Sequence, residues 1–260
     1  MPGGATDRGS EPPRVLVVCP TYNEIDNVAG HVESVLGQPV RADVLVVDDL
    51  SPDGTGQAVR ALAAASAGRV RLLERSGRRG LGRAYVAGFR QALAEDRYDV
   101  IVQMDVDGSH DPGALAGLVA ATQDADLVVG SRYSPGGGVR DWPLRRRALS
   151  RWGNRYAQAV LGVPQRDLTS GFKAWRVPLL HALDVPTLRA DGYMFQIETT
   201  YRAQRLGARL VETPIVFRDR QHGVSKMHAG IAWEAVTSVW RLRRWRPAGG
   251  RVELGSGVAP

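Results

Sequence analysis

Val15-Leu16-Val17-Val18-Cys19-Pro20-Thr21-Tyr22-Asn23-Glu24 passes within one short stretch from an unbroken apolar run to a cluster of polar groups. A strand covered on both faces of a parallel sheet reads as such a run, without the alternation of a half-exposed strand. Outward from it the same unit recurs. Strands are expected over residues 44–47, 70–73, 100–104 and 127–130, separated by helices over 26–36, 54–66, 81–94 and 112–121. This alternation predicts an open, mostly parallel α/β sheet with helices on both faces and right-handed crossovers. In such sheets ligands bind beyond the carboxyl ends of the strands. The polar clusters lie there: 21–24 after the first strand, 48–53 after the second, 105–111 after the fourth and 131–133 after the fifth.

Beyond Pro135 the pattern changes to a glycine run, an Arg-rich segment, helical stretches near 144–161 and 195–206, and a strand near 210–217 that returns to the sheet. Residues 1–13 read as a disordered arm with no apolar core of a signal peptide, 14–227 as one catalytic domain, 228–246 as an amphipathic helix and 247–260 as a loose tail. The 260 residues suffice for one large α/β domain. Thirty-four Lys and Arg against 27 Asp and Glu give a net charge of +7, which favours an anionic partner without saying which. The cations concentrate in the second half, at Arg140, Arg145, Arg146, Arg147, Arg151 and Arg155, and again at Arg241, Arg243, Arg244 and Arg246. No helix-turn-helix, zinc or aromatic RNA-binding pattern accompanies them, so nucleic acid is excluded as the expected partner. No stretch reaches the ~18–20 apolar residues of a membrane span, so membrane contact is expected to be peripheral. The single Cys19 sits inside the first apolar run and reads as a small buried hydrophobe.

Asp105-Val106-Asp107 carries the strongest chemical signal. Two carboxylates one residue apart at a strand end can hold a hard divalent cation through oxygen and leave coordination positions for a diphosphate. Thr21 to Glu24 supply an aromatic face and a carboxylate, and Asp48 to Thr55 add further acidic and hydroxyl groups. Each cluster alone is also good turn chemistry. Three at successive strand ends favour a binding cleft. Gly80-Leu81-Gly82 begins like a dinucleotide fingerprint but lacks its third glycine.

The ordered series Pro20-Thr21-Tyr22-Asn23-Glu24, Val46-Val47-Asp48-Asp49, Gly80-Leu81-Gly82, Asp105-Val106-Asp107, Gly130-Ser131-Arg132-Tyr133, Thr169-Ser170-Gly171-Phe172 and Gly223-Val224-Ser225-Lys226 resembles the dolichol-phosphate mannosyltransferases, called polyprenol monophosphomannose synthases in bacteria. The match runs from about Arg14 to Met227. It implies a GT-A fold, GDP-mannose as donor, polyprenyl phosphate as acceptor, and Mg2+ or Mn2+ as cofactor. It further implies a nucleotide site of Pro20, Tyr22, Glu24, Val47, Asp49, Met104, Asp105, Val106, Asp107, Arg132, Arg220 and Lys226. Asp105, Asp107 and Ser109 would form the metal position, with Ser109 standing where relatives often carry Gln. Arg132, Arg146 and Ser170 would meet the acceptor phosphate, and Asp107, Asp167 and Arg132 would flank the reacting centre.

A phosphate acceptor with a second pKa of ~6 is already ionised near neutral pH and needs no general base. The five His residues therefore have no acid–base work to do, and His110 and His222 read as loop or pocket-wall residues. Cations must instead draw two phosphates together, a task suited to the planar fork of Arg. The resemblance places the chain at the cytoplasmic face of the plasma membrane and leaves room for an anchoring membrane protein as partner. Residues 228–245, with Trp233, Val236 and Trp240 at helical spacing, fit either an interfacial helix or one packed on the domain. Two alternatives keep the fold: UDP-glucose or another nucleotide sugar as donor, or a glycan hydroxyl as acceptor. A third reading is a non-catalytic polyanion-binding module.

Overall fold

The structure is a computed structural model that describes residues 11–219 and 237–247. The expected residues 1–10 of the arm, the first part of the last helix, the tail from 248, and the site residues Arg220 and Lys226 lie outside the described residues.

The alternating half follows the expected order. β1 (Val15–Thr21), α1 (Ile25–Leu36), β2 (Ala42–Asp48), α2 (Thr55–Ala65), β3 (Val70–Glu74), α3 (Leu81–Glu95), β4 (Val100–Gln103), α4 (Leu115–Ala121, entered through a 3-10 turn at Pro112–Ala114) and β5 (Leu127–Ser131) succeed one another. Then come β6 (Gly138–Val139), α5 (Leu144–Leu161), β7 (Lys173–Arg176), α6 (Val177–Ala182), α7 (Gly192–Arg205), β8 (Leu210–Pro214) and β9 (Val216–Phe217). The main sheet has seven strands in the order β3-β2-β1-β4-β7-β5-β8, while β6 and β9 pair apart. All neighbours in the main sheet are parallel except β7, which runs antiparallel to both β4 and β5.

Three features depart from the sequence reading. The first strand continues through Pro20 to Thr21. Val18 O accepts from Met104 N, and by the period of two Pro20 faces the same β4 side, past the last β1–β4 pair at Val18 and Gln103. Its missing N–H therefore costs no ladder bond. The strand expected over 210–217 divides at Ile215, with β8 in the main sheet and β9 on β6. β7 was not anticipated, because Lys173-Ala174-Trp175-Arg176 shows neither an apolar run nor a clean alternation.

Both faces of the sheet are covered, as the unbroken apolar strands require. Val15, Val17 and Cys19 pack with Val28, Val32 and Val35 of α1, Val59 of α2 and Leu115 and Leu118 of α4. Leu16 and Val18 point to the opposite face, against Tyr85 and Phe89 of α3, Leu179 and Leu180 of α6 and Phe195 of α7. Cys19 is buried as expected, its Sγ 3.5 Å from His31 Nε2. A third cluster joins α5 and α7 to the described part of the last helix, residues 237–243, through Ala157, Ile197, Tyr201 and Val239.

Gly88 brings α3 onto the sheet so closely that an added Cβ would lie 2.5 Å from Val18 Cγ1 and 3.1 Å from Val47 Cγ2. Both contacts are to stiff β-branched side chains. Gly88→Ala should therefore lower stability by about 1–3 kcal/mol through overpacking, although alanine is the better helix former. Urea denaturation measures this, and a stabilised variant would show that the interface yields.

Lys173 is fully buried in β7, and its Nζ donates to Gln196 O at 2.8 Å and Thr199 Oγ1 at 3.1 Å. Burial lowers its pKa from the ordinary 10.5 to about 7, against the smaller raising influence of Asp167. Between these two values the unfolded chain binds the extra proton, so this group makes stability rise with pH from about 7 to about 10.5. Lys173→Met should accordingly gain most relative to the parent at pH 6–7 and lose that advantage towards pH 10. Unfolding midpoints across that range test it, and a pH-independent difference would contradict it.

Candidate functional site

The strand order changes direction between β1 and β4: β2 and β3 lie on one side of β1, β4 and the later strands on the other. The crevice beyond the carboxyl ends at such a point is where open α/β sheets take ligands. Here it is bordered by the loops after β1, β2 and β4.

The first two loops are sewn together by carboxylates. Asp48, only 1% exposed, accepts from Thr21 Oγ1 at 2.8 Å, Ser51 N at 2.8 Å and Ser51 Oγ at 2.6 Å. Asp53 accepts from Ile25 N at 3.1 Å and from Thr55 N and Oγ1 at 3.0 and 2.7 Å. Burial disfavours its charge, yet the Thr55 and Ile25 donors hold its carboxyl below the ordinary value. Asn23 N donates to Ser51 Oγ and Glu24 N to Thr55 Oγ1, each at 3.0 Å. Asn23 and Leu50 both take positive φ (61° and 51°) at the turns. Asp48 and Asp53 therefore build the loops, and Tyr22, Glu24 and Asp49 are presented on them.

Asp49 receives Arg75 through Nε at 2.8 Å and Nη2 at 2.7 Å, and Gly80 N at 3.1 Å. Arg79 lies over the Tyr22 ring, its Cζ 4.1 Å from the centroid, and donates to the phenol oxygen at 2.5 Å. The loop after β3 thus closes one side of the expected nucleotide position through Arg75 and Arg79. Neither was singled out in the sequence, since their partners lie 26 and 57 residues away.

Asp105 and Asp107 follow β4. Tyr85 OH donates to Asp105 Oδ1 at 2.7 Å, and burial together with the two neighbouring Asp carboxylates pushes the phenol well above its ordinary pKa, which keeps it a donor. Asp105 N donates to His110 Nδ1 at 3.0 Å, so the neutral ring carries its proton on Nε2. Asp107 Oδ1 accepts from Ser109 N at 3.1 Å across Gly108, whose φ is +76°. Ser109 Oγ is buried and has no partner among the described residues. The side chains of Val47, Met104 and Val106 are buried in the core, so only their backbone borders the crevice. Among the described residues no cluster of three or more His, Cys, Asp or Glu could hold a metal. Two carboxylates and the orphaned hydroxyl of Ser109 form an oxygen-only donor set, which suits a hard cation that takes its remaining ligands from a diphosphate and water.

On the other side, Arg132 follows β5 and is locked to Asp167. Its Nε donates to Oδ2 at 2.7 Å, its Nη2 to Oδ1 at 2.6 Å and its backbone N to Oδ2 at 3.0 Å, while Nη2 also reaches Thr169 Oγ1 at 2.6 Å. Asp167 is wholly buried; burial opposes its charge, and Arg132 holds the carboxyl below its ordinary value. Tyr133, Trp142 and Phe217 ring the guanidinium with centroids 5.3–5.7 Å away. Arg146 pairs with Asp219 at 2.7 and 2.9 Å and lies 4.1 Å over the Trp142 ring. Ser170 Oγ donates to Gly130 O at 2.6 Å, which ties the loop before β7 to β5. Arg218 N approaches Ser109 O at 3.4 Å, so the segment after β9 touches both the Asp105–Asp107 loop and Arg146.

Residues 16–183 match the sequence profile of glycosyl transferase family 2. The chain is 46% identical over 245 residues to the undecaprenyl-phosphate mannosyltransferase of Micrococcus luteus, covering 93% of this chain and 99% of that one. It is 44% identical over 248 residues to the polyprenol monophosphomannose synthase of Mycolicibacterium smegmatis, covering 94% and 91%. Among solved structures, the mannosyltransferase PcManGT of Pyrobaculum calidifontis in complex with GDP-Man and Mn2+ superposes with a TM-score of 0.57 at 23% identity, over 86% of this chain and 60% of that one. The sheet topology is that of the GT-A fold. With the profile matching well over half its length and relatives of this identity spanning nearly all of it, the chain belongs to glycosyl transferase family 2.

Proposed function

We propose that this protein transfers mannose from GDP-mannose to a polyprenyl phosphate with inversion, giving a β-mannosyl phosphate lipid. The observation that carries this reading is the 46% identity, along almost the whole of both chains, to an enzyme named for that acceptor and that sugar. The geometry supports it. The acidic loop and the two arginines meet around Phe217, whose ring packs on His110 and Trp142 and lies 5.3 Å from the Arg132 guanidinium, with Arg146 over Trp142.

In this reading Tyr22, Glu24 and Asp49 take the nucleoside, and Arg220 and Lys226 complete the donor site. Asp105 and Asp107 would hold a Mg2+ or Mn2+ ion, which when bound would supply positive charge to the departing diphosphate. A phosphate oxygen of the acceptor attacks the anomeric carbon as the bond from that carbon to the GDP oxygen breaks. The acceptor phosphate is ionised, so no residue has to remove a proton. Arg146 draws that phosphate in against the charge of the donor, with Ser170 shaping the same loop. Asp167 acts through Arg132, fixing the plane of its guanidinium so that the cation is in place before the lipid arrives.

α5 supports a membrane surface as the place of work. Its buried face carries Asn154, Ala157, Val160 and Leu161. Its outer face shows Leu144 at 79% exposure, Leu149 at 46% and Trp152 at 57%, interspersed with the exposed Arg145, Arg151 and Arg155. Apolar groups among cations suit the headgroup region of an anionic leaflet, here assigned to the cytoplasmic face of the plasma membrane. No described helix is long and apolar enough to cross a bilayer.

Incubation with labelled GDP-mannose and polyprenyl phosphate should yield an organic-soluble mannolipid, while UDP-glucose should not label it. The reverse preference would refute the donor, and labelling of a free glycan instead of the lipid would refute the acceptor. Asp107→Ala should lose at least about a hundredfold in kcat with either metal; full activity would remove the carboxylate from the mechanism. Sedimentation with phosphatidylglycerol vesicles should pull down the chain at low salt and release it at high salt, with Trp152→Ala binding more weakly. Failure to bind would shift the membrane attachment to an anchoring partner protein.

A further inference from the structure

Gln196, on the first turns of α7, is 2% exposed, yet its Nε2 has no hydrogen-bond partner among the described residues. The orientation of this amide follows from its neighbours. The indole Nε1–H of Trp175 can only donate, and it donates to Gln103 Oε1 at 2.7 Å. Gln103 must then turn its Nε2 towards Gln196, where it meets Oε1 at 3.4 Å. The NH2 group of Gln196 is left facing the other way, towards Gly171 at the head of the loop before β7. Its main chain is equally fixed: the Gln196 carbonyl accepts from Lys173 Nζ at 2.8 Å, Thr200 Oγ1 at 3.0 Å and Thr199 Oγ1 at 3.2 Å.

Gly171 leaves a gap at this point. A Cβ on it would stand 3.5 Å from Gln196 Nε2, 3.3 Å from Asp105 Oδ2 and 3.4 Å from His110 Cε1. One donor and one acceptor therefore converge on the same spot beside the Asp105–Asp107 loop. A phosphate oxygen can only accept and a metal ion only takes lone pairs, so each would satisfy half of this pair. A hydroxyl does both: it accepts from the amide and donates to the carboxylate.

We propose that Gln196 reads a hydroxyl of the transferred sugar, with Asp105 Oδ2 as its counterpart and Gly171 as the opening that admits it. The inference rests on the donor reading above and adds a residue that selects the hexose. The buried layer of Gln103, Trp175 and Lys173 keeps the amide aimed before the donor binds, so the donor meets a preset group.

Calorimetric titrations in Mn2+ with GDP, GDP-mannose and GDP-mannose analogues lacking one ring hydroxyl each test it. In the parent protein one deoxy analogue should bind about tenfold more weakly than GDP-mannose, the scale of one lost hydrogen bond. If none differs by more than about twofold, the proposal fails without any variant being needed. Gln196→Met should weaken GDP-mannose about tenfold, leave GDP within about twofold, and abolish the deficit of that one analogue. Equal weakening of GDP and GDP-mannose would place the amide on the diphosphate and overturn the proposal. Gly171→Ala, whose Cβ would take that space itself and stand 3.3 Å from Asp105 Oδ2 and 3.5 Å from Gln196 Nε2, should show the same selective loss. If the parent prefers another nucleotide sugar, it is the donor reading that falls, and the same titrations with that sugar still decide the role of Gln196.

Discussion

A carboxylate taken out of water must find donors, and this requirement shapes every loop at the carboxyl edge of the sheet. Asp48 is satisfied by Thr21 and Ser51, Asp49 by Arg75 and Gly80, and Asp167 by Arg132. The Thr21–Asp48, Arg75–Asp49 and Arg132–Asp167 bonds each fasten one strand's end loop to another's. The result is a rigid rim on which the groups left for chemistry are already placed, so ordering them is not left to substrate binding. Removing one member of such a pair costs more than its bond, because the partner stays buried and charged. The Arg132–Asp167 pair is the extreme case, with both members nearly inaccessible.

The antiparallel β7 is what joins the two halves of the site. Its direction means that its leading loop, Asp167 to Phe172, arrives at the same edge where β4 and β5 end. A parallel strand in that slot would have delivered the loop to the opposite edge, away from Asp105 and Arg132. Ser170 bonding to Gly130, and Gly171 lying beside Asp105, both follow from that reversal. The strand carries a burden for its position, a buried lysine with no carboxylate at hydrogen-bonding distance among the described residues, held by a carbonyl and a hydroxyl of α7. Those same contacts steady the start of α7, where Phe195 and Gln196 are both buried.

The basic charge of +7 has two distinct uses. Arg75, Arg132 and Arg146 are paired with carboxylates, and Arg132 and Arg146 also lie over or near aromatic rings, so all three are held in place by local partners. Arg145, Arg151 and Arg155 stand on the open face of α5 beside Leu144 and Trp152. Charge count alone treats both groups alike. Exposure separates them, because a cation that has exchanged water for a carboxylate cannot also serve as a diffuse field for a distant anion.

The residues themselves determined the sheet, its two-sided cover and the acidic strand ends, since an unbroken apolar run followed by turn-forming acids is a local pattern that tolerates little else. The Asp105–Asp107 pair and the order of motifs were legible for the same reason, whereas Pro20, a residue that suggests the end of a strand, lies inside β1. Only the tertiary structure decided which donors each of those acids meets, because Asp48 and Asp49 are neighbours in the chain, yet Asp48 takes Thr21 and Ser51 while Asp49 takes Arg75 and Gly80. It alone revealed β7, Lys173 and the Trp175–Gln103–Gln196 relay. A polar group's burial is set by elements brought together from 23 to 93 residues away, and no local periodicity records that meeting.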